Sequence, residues 1–531
     1  MKNGLHSRAK ADTRAMNKKG KQSQTAWERA LKHHHAGRLG EAERLYWHVL
    51  IDRSDDDVLL SNLGAALRGQ GKQDQAVPCY RRAIVINPDN WQAHGNLGNA
   101  LRDLGERQQA EKCYRKSIEL DPSNAEPHCN LGQVLKENNE LDEAADCFRR
   151  ALELRPAYLE ASIALSAIEE SAGRTEQATD ILWNGVSRQP VLTETCKRSV
   201  QANVLLFRGV EDCRYKLSDD FQHKMSGGHF STSELLHDNQ FTKHHFHIAN
   251  GNLDSYSGEL PRHDIIVNTV ACPDREPKAL KSLSAYLKSH KHAPLINDPD
   301  EVLKTGRDMN YQRLKDIKGI TFPTTIRLTF KGMTPEQITE SIKDSGIIPP
   351  LIMRRTGTQS AVSTRKLDAF GDIADYLAET DGDEFYVIQY VDCRYRDDYY
   401  RKLRLFCIDG KLYPVVCHID QVWNVHGGNR KTLMKTNDWM QDEEKSFLND
   451  PKAYVGADNY RLLENLHDII KLDFFGVDFN LMADNSILIY ELNPAMRHSL
   501  VHAESLPYLT PSLQVISDAF ARMTIDRAGN L

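Results

Sequence analysis

No stretch of this 531-residue chain approaches the ~18–20 consecutive apolar residues that a helix needs to cross a bilayer, so a membrane-spanning chain is not expected. The opening "MKNGLHSRAKADTRAMNKKGKQSQ" is basic but lacks the apolar core of a secretory signal, and residues 1–22 read as a disordered tail. The ten cysteines include no C-x-x-C pair, which leaves no dithiol or zinc-ribbon motif and fits a reduced, cytoplasmic compartment. Neither sign of charge dominates: the net charge is −6, which argues against a generic nucleic-acid or membrane-surface binder. Apolar residues make up 40% and charged residues 27%, so each of roughly three domains can bury a core.

What is present first is a period. Ala42, Ala76, Ala110, Ala144 and Ala178 are 34 residues apart, as are Tyr46, Tyr80, Tyr114, Phe148 and Leu182, and Pro88, Pro122, Pro156 and Pro190. Leu63-Gly64, Leu97-Gly98 and Leu131-Gly132 keep the same phase, and Cys79, Cys113 and Cys147 follow it, so these cysteines are not metal ligands. Small residues at fixed offsets let two helices cross closely, an aromatic is expected to plug the gap to the next unit, and the Pro punctuates the turn. The pattern resembles the tetratricopeptide repeat, with five units over 23–192 starting near Ser23, Asp57, Trp91, Ala125 and Leu159. It predicts an all-α solenoid with degenerate capping units at both ends. The first helix of each unit lines its inner face, which puts Asn62, Asn96, Asn99, Asn130, Arg68, Arg102 and Lys136 there. That face is either a ladder of amides for an extended peptide or simply a solvated polar surface.

The period stops after about residue 192. Over 193–305, "NVLLF" and "DIIVNTV" read as strands and "EPKALKSLSAYLKSH" as a helix, which predicts a small α/β domain. "KHHFHIAN" carries His244, His245 and His247, but no second cluster with ligand spacing accompanies them, and a polar loop or strand is expected rather than a metal site.

The last third carries the chemistry. "FFGVDFNLMA" and "SILIYELN" read as a hairpin turning at Asp484-Asn485, which sets Asp478 opposite Glu491 and puts Asn493 on the same face. Two carboxylates directly opposed in a sheet repel. A divalent cation, a protonated carboxyl or an intervening arginine must offset that repulsion. Two carboxylates and an amide oxygen form a hard donor set suited to Mg2+.

Asp478, Glu491 and Asn493, with "GVDF" and "ELNP", resemble the metal-binding signature of the ATP-grasp superfamily, which includes D-alanine ligases, glutathione synthetases and ribosomal-protein glutamate ligases. The resemblance extends over about 200–525, and the whole chain is similar to bacterial proteins that fuse tetratricopeptide repeats to such a module. It implies an α/β pre-ATP-grasp domain at 193–305 and an α+β ATP-grasp domain at 306–525, with ATP and Mg2+ as cofactors. It places Arg354 of "PPLIMRRTGTQSAVS" where relatives carry a phosphate-binding Lys, and Gln389, Tyr390 and Val391 at the adenine hinge. Asp397 or Asp398 takes the ribose, and Arg404 grips the transferring phosphate with Lys402 on its face. A second Lys of relatives, near Met309 and Asn310, is missing. Hairpin arithmetic around Asp409-Gly410 sets Arg401 and His418 on the opposite face from Arg404. Past the metal signature, the resemblance implies that Arg497 binds the carboxylate to be activated and that His498 deprotonates the nucleophile; a helix cap or a filled polar gap is the competing reading of both. "DQVWNVHGG", with Trp423 and His426, reads as an irregular acceptor-side loop.

By that resemblance the chain is an ADP-forming carboxylate–amine ligase whose repeats recruit a peptide or protein, and a homodimer is compatible with it. A kinase that stops at the phosphorylated product, or a repeat-based adaptor that has lost catalysis, are the alternatives.

Overall fold

The computed structural model describes residues 23–529 except 197–198, 211–213, 219–220, 222, 227–228, 238, 250, 257, 359–362, 397, 426–429, 431, 497, 499–502 and 504–505. The basic tail, Asp397, His426 and Arg497 therefore lie outside the described residues. The chain divides into two compact units, the first holding the repeats to Gln189 and the second most of the chain from Pro190 onward.

The first unit is an antiparallel helical array. Its helices are α1 (residues 23–35), α2 (Leu39–Leu50), α3 (Asp57–Gly69), α4 (Gln73–Ile86), α5 (Trp91–Asp103), α6 (Arg107–Leu120), α7 (Ala125–Glu137), α8 (Leu141–Leu154), α9 (Leu159–Ser171) and α10 (Thr175–Arg188). The periodic glycines meet the periodic aromatics. A Cβ on Gly64 would lie 2.7 Å from the Tyr80 ring, one on Gly98 2.7 Å from Tyr114, and one on Gly132 2.9 Å from Phe148. Each aromatic therefore plugs the crossing of the two helices of its own unit, where the sequence pattern suggested a gap to the next. In the fifth unit Ser166 and Leu182 occupy the corresponding offsets, a larger residue facing a smaller one, and Ser166 bonds the Ala178 carbonyl at 2.8 Å.

The second unit begins with a sheet of β1 (Val191–Glu194), β2 (Ala202–Gly209), β5 (Phe241–Ile248), β6 (Ile265–Asn268) and β7 (Leu295–Ile296), in the order β1-β5-β2-β6-β7 and parallel except for β1. Between β2 and β5 in sequence, β3 (Arg214–Leu217) and β4 (His223–Ser226) pair with each other, and Tyr215–Lys224 are grouped with the first unit. Helix α11 (Pro277–Ser289) buries Leu280, Leu283 and Leu287. The histidine-rich segment is strand β5, buried along its length. His245 lies 3.1 Å from Glu194, and burial lowers its pKa to about 4, so it is a neutral core histidine at pH 7.

Two short helices, α12 (Pro299–Val302) and α13 (Arg307–Leu314), lead into two further layers. The smaller sheet contains β9 (Thr325–Thr329), β10 (Leu351–Arg355), β11 (Thr364–Leu367) and β12 (Glu384–Gln389), in the antiparallel order β11-β10-β12-β9. With α14 (Pro335–Asp344) and α15 (Asp372–Glu379) it has its own core of Phe330, Ile338, Leu351, Met353, Phe385 and Val387. The larger sheet runs β13 (Arg394–Tyr395), β14 (Tyr399–Ile408), β16 (Phe474–Leu481), β17 (Ile487–Asn493) and β8 (Ile320–Thr321), with β15 (Lys411–Asp420) on the free edge of β14. Helices α16 (Asp438–Asn449), α17 (Pro451–Val455), α18 (Ala457–Ile470) and α19 (Thr510–Ala528) flank it.

Each long hairpin of this sheet carries a bulge. In β14–β15 the turn at Asp409-Gly410 is the expected tight one, with φ +48° and +76°. The register then slips by one at Val415, so His418 pairs with Lys402 and not with Arg401. A one-residue slip moves a side chain to the other face, and His418 stands on the side of Arg404, contrary to the arithmetic from the turn. In β16–β17 a backbone bond from Met482 to Ser486 closes a three-residue loop over 483–485, one residue longer than the turn expected, and a bulge at Tyr490 restores the pairing of Asp478 with Glu491.

Candidate functional site

Asp478 and Glu491 are direct cross-strand partners, and Asn493, opposite Gly476, shares their face. Arg404 is the partner of Asp478 on the other side, from β14. Arginine supplies one of the three ways to relieve the repulsion. Arg404 donates from Nε to Asp478 Oδ1 at 2.6 Å and from Nη2 to Oδ2 at 2.8 Å, while Lys402 Nζ lies 3.4 Å from Oδ2. Asp478 is only 2% exposed. Burial pushes its carboxyl up, but Arg404 and Lys402 outweigh burial and hold it below the ordinary carboxylate range. Burial also pushes Glu491 up, and Arg307 and Arg354 outweigh it, so Glu491 is held low as well. Both carboxylates are ionised at pH 7.

Arg307 is the residue that sequence reasoning missed. It opens α13, forms an ion pair with Glu491 Oε2 at 2.7 Å, and donates to the Tyr490 carbonyl at 2.9 Å. The bulge at Tyr490 thus supplies the acceptor that docks this guanidinium. Asn310 anchors the same helix by donating to the Leu492 carbonyl at 2.8 Å. The signal in the sequence was a basic residue two and three positions before Met309 and Asn310, where the ATP-grasp resemblance implies a Lys. Arg354, on β10 of the smaller sheet, bonds the Thr358 carbonyl and acts electrostatically on both Arg307 and Glu491. Four cations therefore surround two carboxylates, and the site carries a surplus of two positive charges.

The donor set fits a hard divalent cation by its chemistry: two carboxylates and an amide oxygen on one face. Asn493 donates to Glu491 Oε1 at 2.7 Å, and its own Oδ1 is buried with no hydrogen-bond partner among the described residues. Among the described residues no trio of His, Cys, Asp or Glu converges, so the amide is the third ligand on offer.

The remaining sequence candidates sit at varied distances from this cluster. Gln389 pins the start of β10, accepting from the Ile348 amide at 3.1 Å and donating to the Ile348 and Pro350 carbonyls at 3.0 and 3.1 Å. Its backbone amide bonds Thr324 and that of Tyr390 bonds Pro350, so these two hinge donors are engaged within the protein. Lys366 stands 4.7 Å over the Tyr390 ring and Trp423 meets its edge at 6.1 Å, next to Val391. Asp398 is exposed. His498 is buried, its Nε2 bonds Ser517 Oγ at 3.0 Å and its ring packs edge-on to Phe406; burial lowers its pKa to about 4. That setting is a filled polar gap under α19.

Two supports flank the cluster. Arg327 donates to Asp274 at 2.7 Å, to Asp308 at 3.1 Å and to Glu384 at 3.0 Å, and Tyr386 also bonds Asp274, which ties the smaller sheet to α13 and to the segment before α11. On the edge of β15, buried Glu444 of α16 accepts from the Cys417 amide at 2.7 Å, from Arg430 at 2.9 and 2.6 Å and from Tyr508 at 2.7 Å, and Arg430 also meets His418 at 3.0 Å. In the array, Asn130 donates to Asn99, and Asn62 donates to its own helix, so the amides that form either a peptide ladder or a solvated face are partly self-satisfied.

The fold defines a helical-repeat solenoid followed by a mixed α/β region. The repeats are tetratricopeptide repeats: family models described as "TPR repeat" match residues 64–105 and 98–139, and a "Tetratricopeptide repeat" model matches 125–158. Similar solved structures include a crystal structure of MamA, 21% identical with a TM-score of 0.28, covering 30% of this chain and 94% of that one. A MamA structure from Desulfovibrio magneticus RS-1 is 16% identical with a TM-score of 0.29, covering 32% and 94%. No match was found among curated proteins. No helix among the described residues is long and apolar enough to cross a membrane.

Proposed function

We propose that the α/β region is an ATP- and Mg2+-dependent ligase of the ATP-grasp type, which activates a carboxylate as an acyl phosphate and joins it to an amine, and that the repeats hold a peptide or protein substrate or partner. The observation that carries this reading is the cluster of Arg307, Arg354, Lys402 and Arg404 around Asp478, Glu491 and the orphaned Asn493 Oδ1. A surplus of half-buried cations favours an anion of several charges, and guanidinium groups bind phosphate oxygens in pairs. Asp478, Glu491 and Asn493 would hold the metal, which when bound offsets charge on the phosphates.

The chain's own groups then have defined tasks. Arg404 and Arg354 neutralise charge that grows on the γ-phosphoryl oxygens while the substrate carboxylate attacks phosphorus and the bond to ADP breaks. Arg307 takes the place of the Lys that relatives carry before this motif. The amine then attacks the acyl carbon, inorganic phosphate leaves, and the amine proton passes to solvent or a base. The test is ADP release assayed against a panel of amino acids and peptides. Turnover that depends on both a carboxylate and an amine, and that Asp478→Ala abolishes, is the expected result. A stable phosphorylated product without an amine would make the chain a kinase. The bidentate hold of Arg404 on Asp478 favours one second reading, a repeat-based adaptor; absence of nucleotide binding would select it.

A further inference from the structure

The donor atoms of the acid pair are already spoken for. Asp478 gives both oxygens to Arg404, and Lys402 stands beside one of them. Glu491 gives one oxygen to Arg307 and the other to the Asn493 amide. Only Asn493 Oδ1 lacks a partner. A divalent cation that coordinated Asp478 would have to displace a charge-assisted fork, or settle within a few ångströms of a guanidinium in a half-buried site. Both are unfavourable, because like charges in a low-dielectric setting repel far more strongly than in water. The arginines are not free to leave by themselves. Arg307 is anchored on the Tyr490 carbonyl, and Arg404 is held between two strands with a side chain only 18% exposed.

We propose that the acid pair is a guarded cation site: Arg404 and Arg307 exclude a divalent cation until a polyphosphate anion supplies new acceptors for their guanidinium groups. The inference rests on the nucleotide-binding reading above and adds an order to it. Metal and nucleotide bind with strong mutual dependence, and metal alone binds poorly. The same four cations that attract the anion are the lock on the metal, so loading one ligand creates the site for the other. The pair is neutralised from both flanks, by β14 on one side and α13 on the other.

The probe is Mn2+, followed by the relaxation enhancement of water protons, which rises for protein-bound Mn2+ far above the value for Mn2+ on a nucleotide in solution. The full-length protein is titrated with Mn2+ alone, and with Mn2+ in the presence of the β,γ-methylene analogue of ATP. Binding of the radiolabelled analogue is followed separately by equilibrium dialysis. The expected result is an affinity for Mn2+ at least tenfold higher with the analogue, with Asp478→Asn removing the enhancement. Arg307→Gln, at the outer guard, should raise affinity for Mn2+ alone several-fold; a urea unfolding curve checks that this variant is folded. Mn2+ affinity in the wild type that the analogue changes by less than threefold, and that Asp478→Asn removes, overturns the guard and leaves the nucleotide site standing. Failure of the analogue to bind overturns both. The wild-type titrations decide the matter even if Arg307→Gln does not fold.

Discussion

Arg404 and Asp478 face each other across β14 and β16 and join through two hydrogen bonds, at 2.6 and 2.8 Å. A paired arrangement of this kind is costly to break from one side, because the survivor keeps its charge without water. Arg404→Leu should therefore destabilise the α/β unit by ~3–5 kcal/mol. Arg404→Leu with Asp478→Leu should cost less than Arg404→Leu alone, since no buried charge is then stranded. Urea unfolding of the three proteins measures this. A loss below ~1 kcal/mol in the single variant would mean that Lys402, 3.4 Å from the carboxylate, takes over the pairing.

The same contacts set a pH dependence. Asp478 and Glu491 are held below the ordinary carboxylate range when folded, whereas unfolded Asp and Glu titrate near ~4. The unfolded chain therefore binds protons first as pH falls. The stabilisation is complete above about pH 5 and is lost as pH drops through the depressed folded values. The slope of stability against pH between ~5 and ~3 should be shallower in Asp478→Asn, by up to ~1.4 kcal/mol per pH unit for the one group removed. Equal slopes in variant and wild type would show that Asp478 titrates normally.

The repeat array was legible because its signal is written several times over. Ala, aromatic and Pro return at one offset, and the glycines meet the aromatics at 2.7–2.9 Å of a built Cβ. The acid pair was legible because alternation in a strand fixes which residues share a face. What the residues did not announce is the bulge. In "KLYPVVCHID" Pro414 is compatible with an edge strand or a bulge, and it does not say which; the bulge at Val415 turns His418 from one face to the other. The bulge at Tyr490 corrected a turn placed one residue off, so Asp478 met Glu491 through two departures from ideal register that cancel. Arg307 lay hidden for a different reason. It reaches the site from a separate element 184 positions before Glu491, and only tertiary packing brings the two together.

The fifth repeat suggests a compensation that can be moved to another unit. Gly132 and Phe148 correspond to Ser166 and Leu182 one period later. A Cβ on Gly132 would come within 2.9 Å of the Phe148 ring, so Gly132→Ser should destabilise the array by ~1–3 kcal/mol through overpacking. Phe148→Leu leaves a void and should cost about as much. Together the two substitutions should cost ~0.5–3 kcal/mol less than their sum, because each relieves the defect of the other. Thermal unfolding followed by helical circular dichroism gives the three values. Simple additivity would show that the glycine–aromatic contact is not what sets the crossing of α7 and α8.

Arg430 and Glu444 are 2% and 0% exposed in their side chains and share two hydrogen bonds. Glu444 also accepts from the Cys417 amide on the edge strand and from Tyr508, so the carboxylate covers an edge donor that β15 cannot pair within its sheet. Arg430→Met should remove the countercharge while leaving those two donors, at a cost of ~3–5 kcal/mol. Glu444→Gln leaves the guanidinium without a countercharge, beside the new amide oxygen and His418 at 3.0 Å. A buried cation without a countercharge is costly, so this variant should be destabilised by a similar amount. The double variant Arg430→Met, Glu444→Gln carries no buried charge and should recover ~0.5–3 kcal/mol relative to the sum of the singles. A double variant no better than the sum would show that the hydrogen bonds to Cys417 and Tyr508, rather than the ion pair, hold α16 against the sheet.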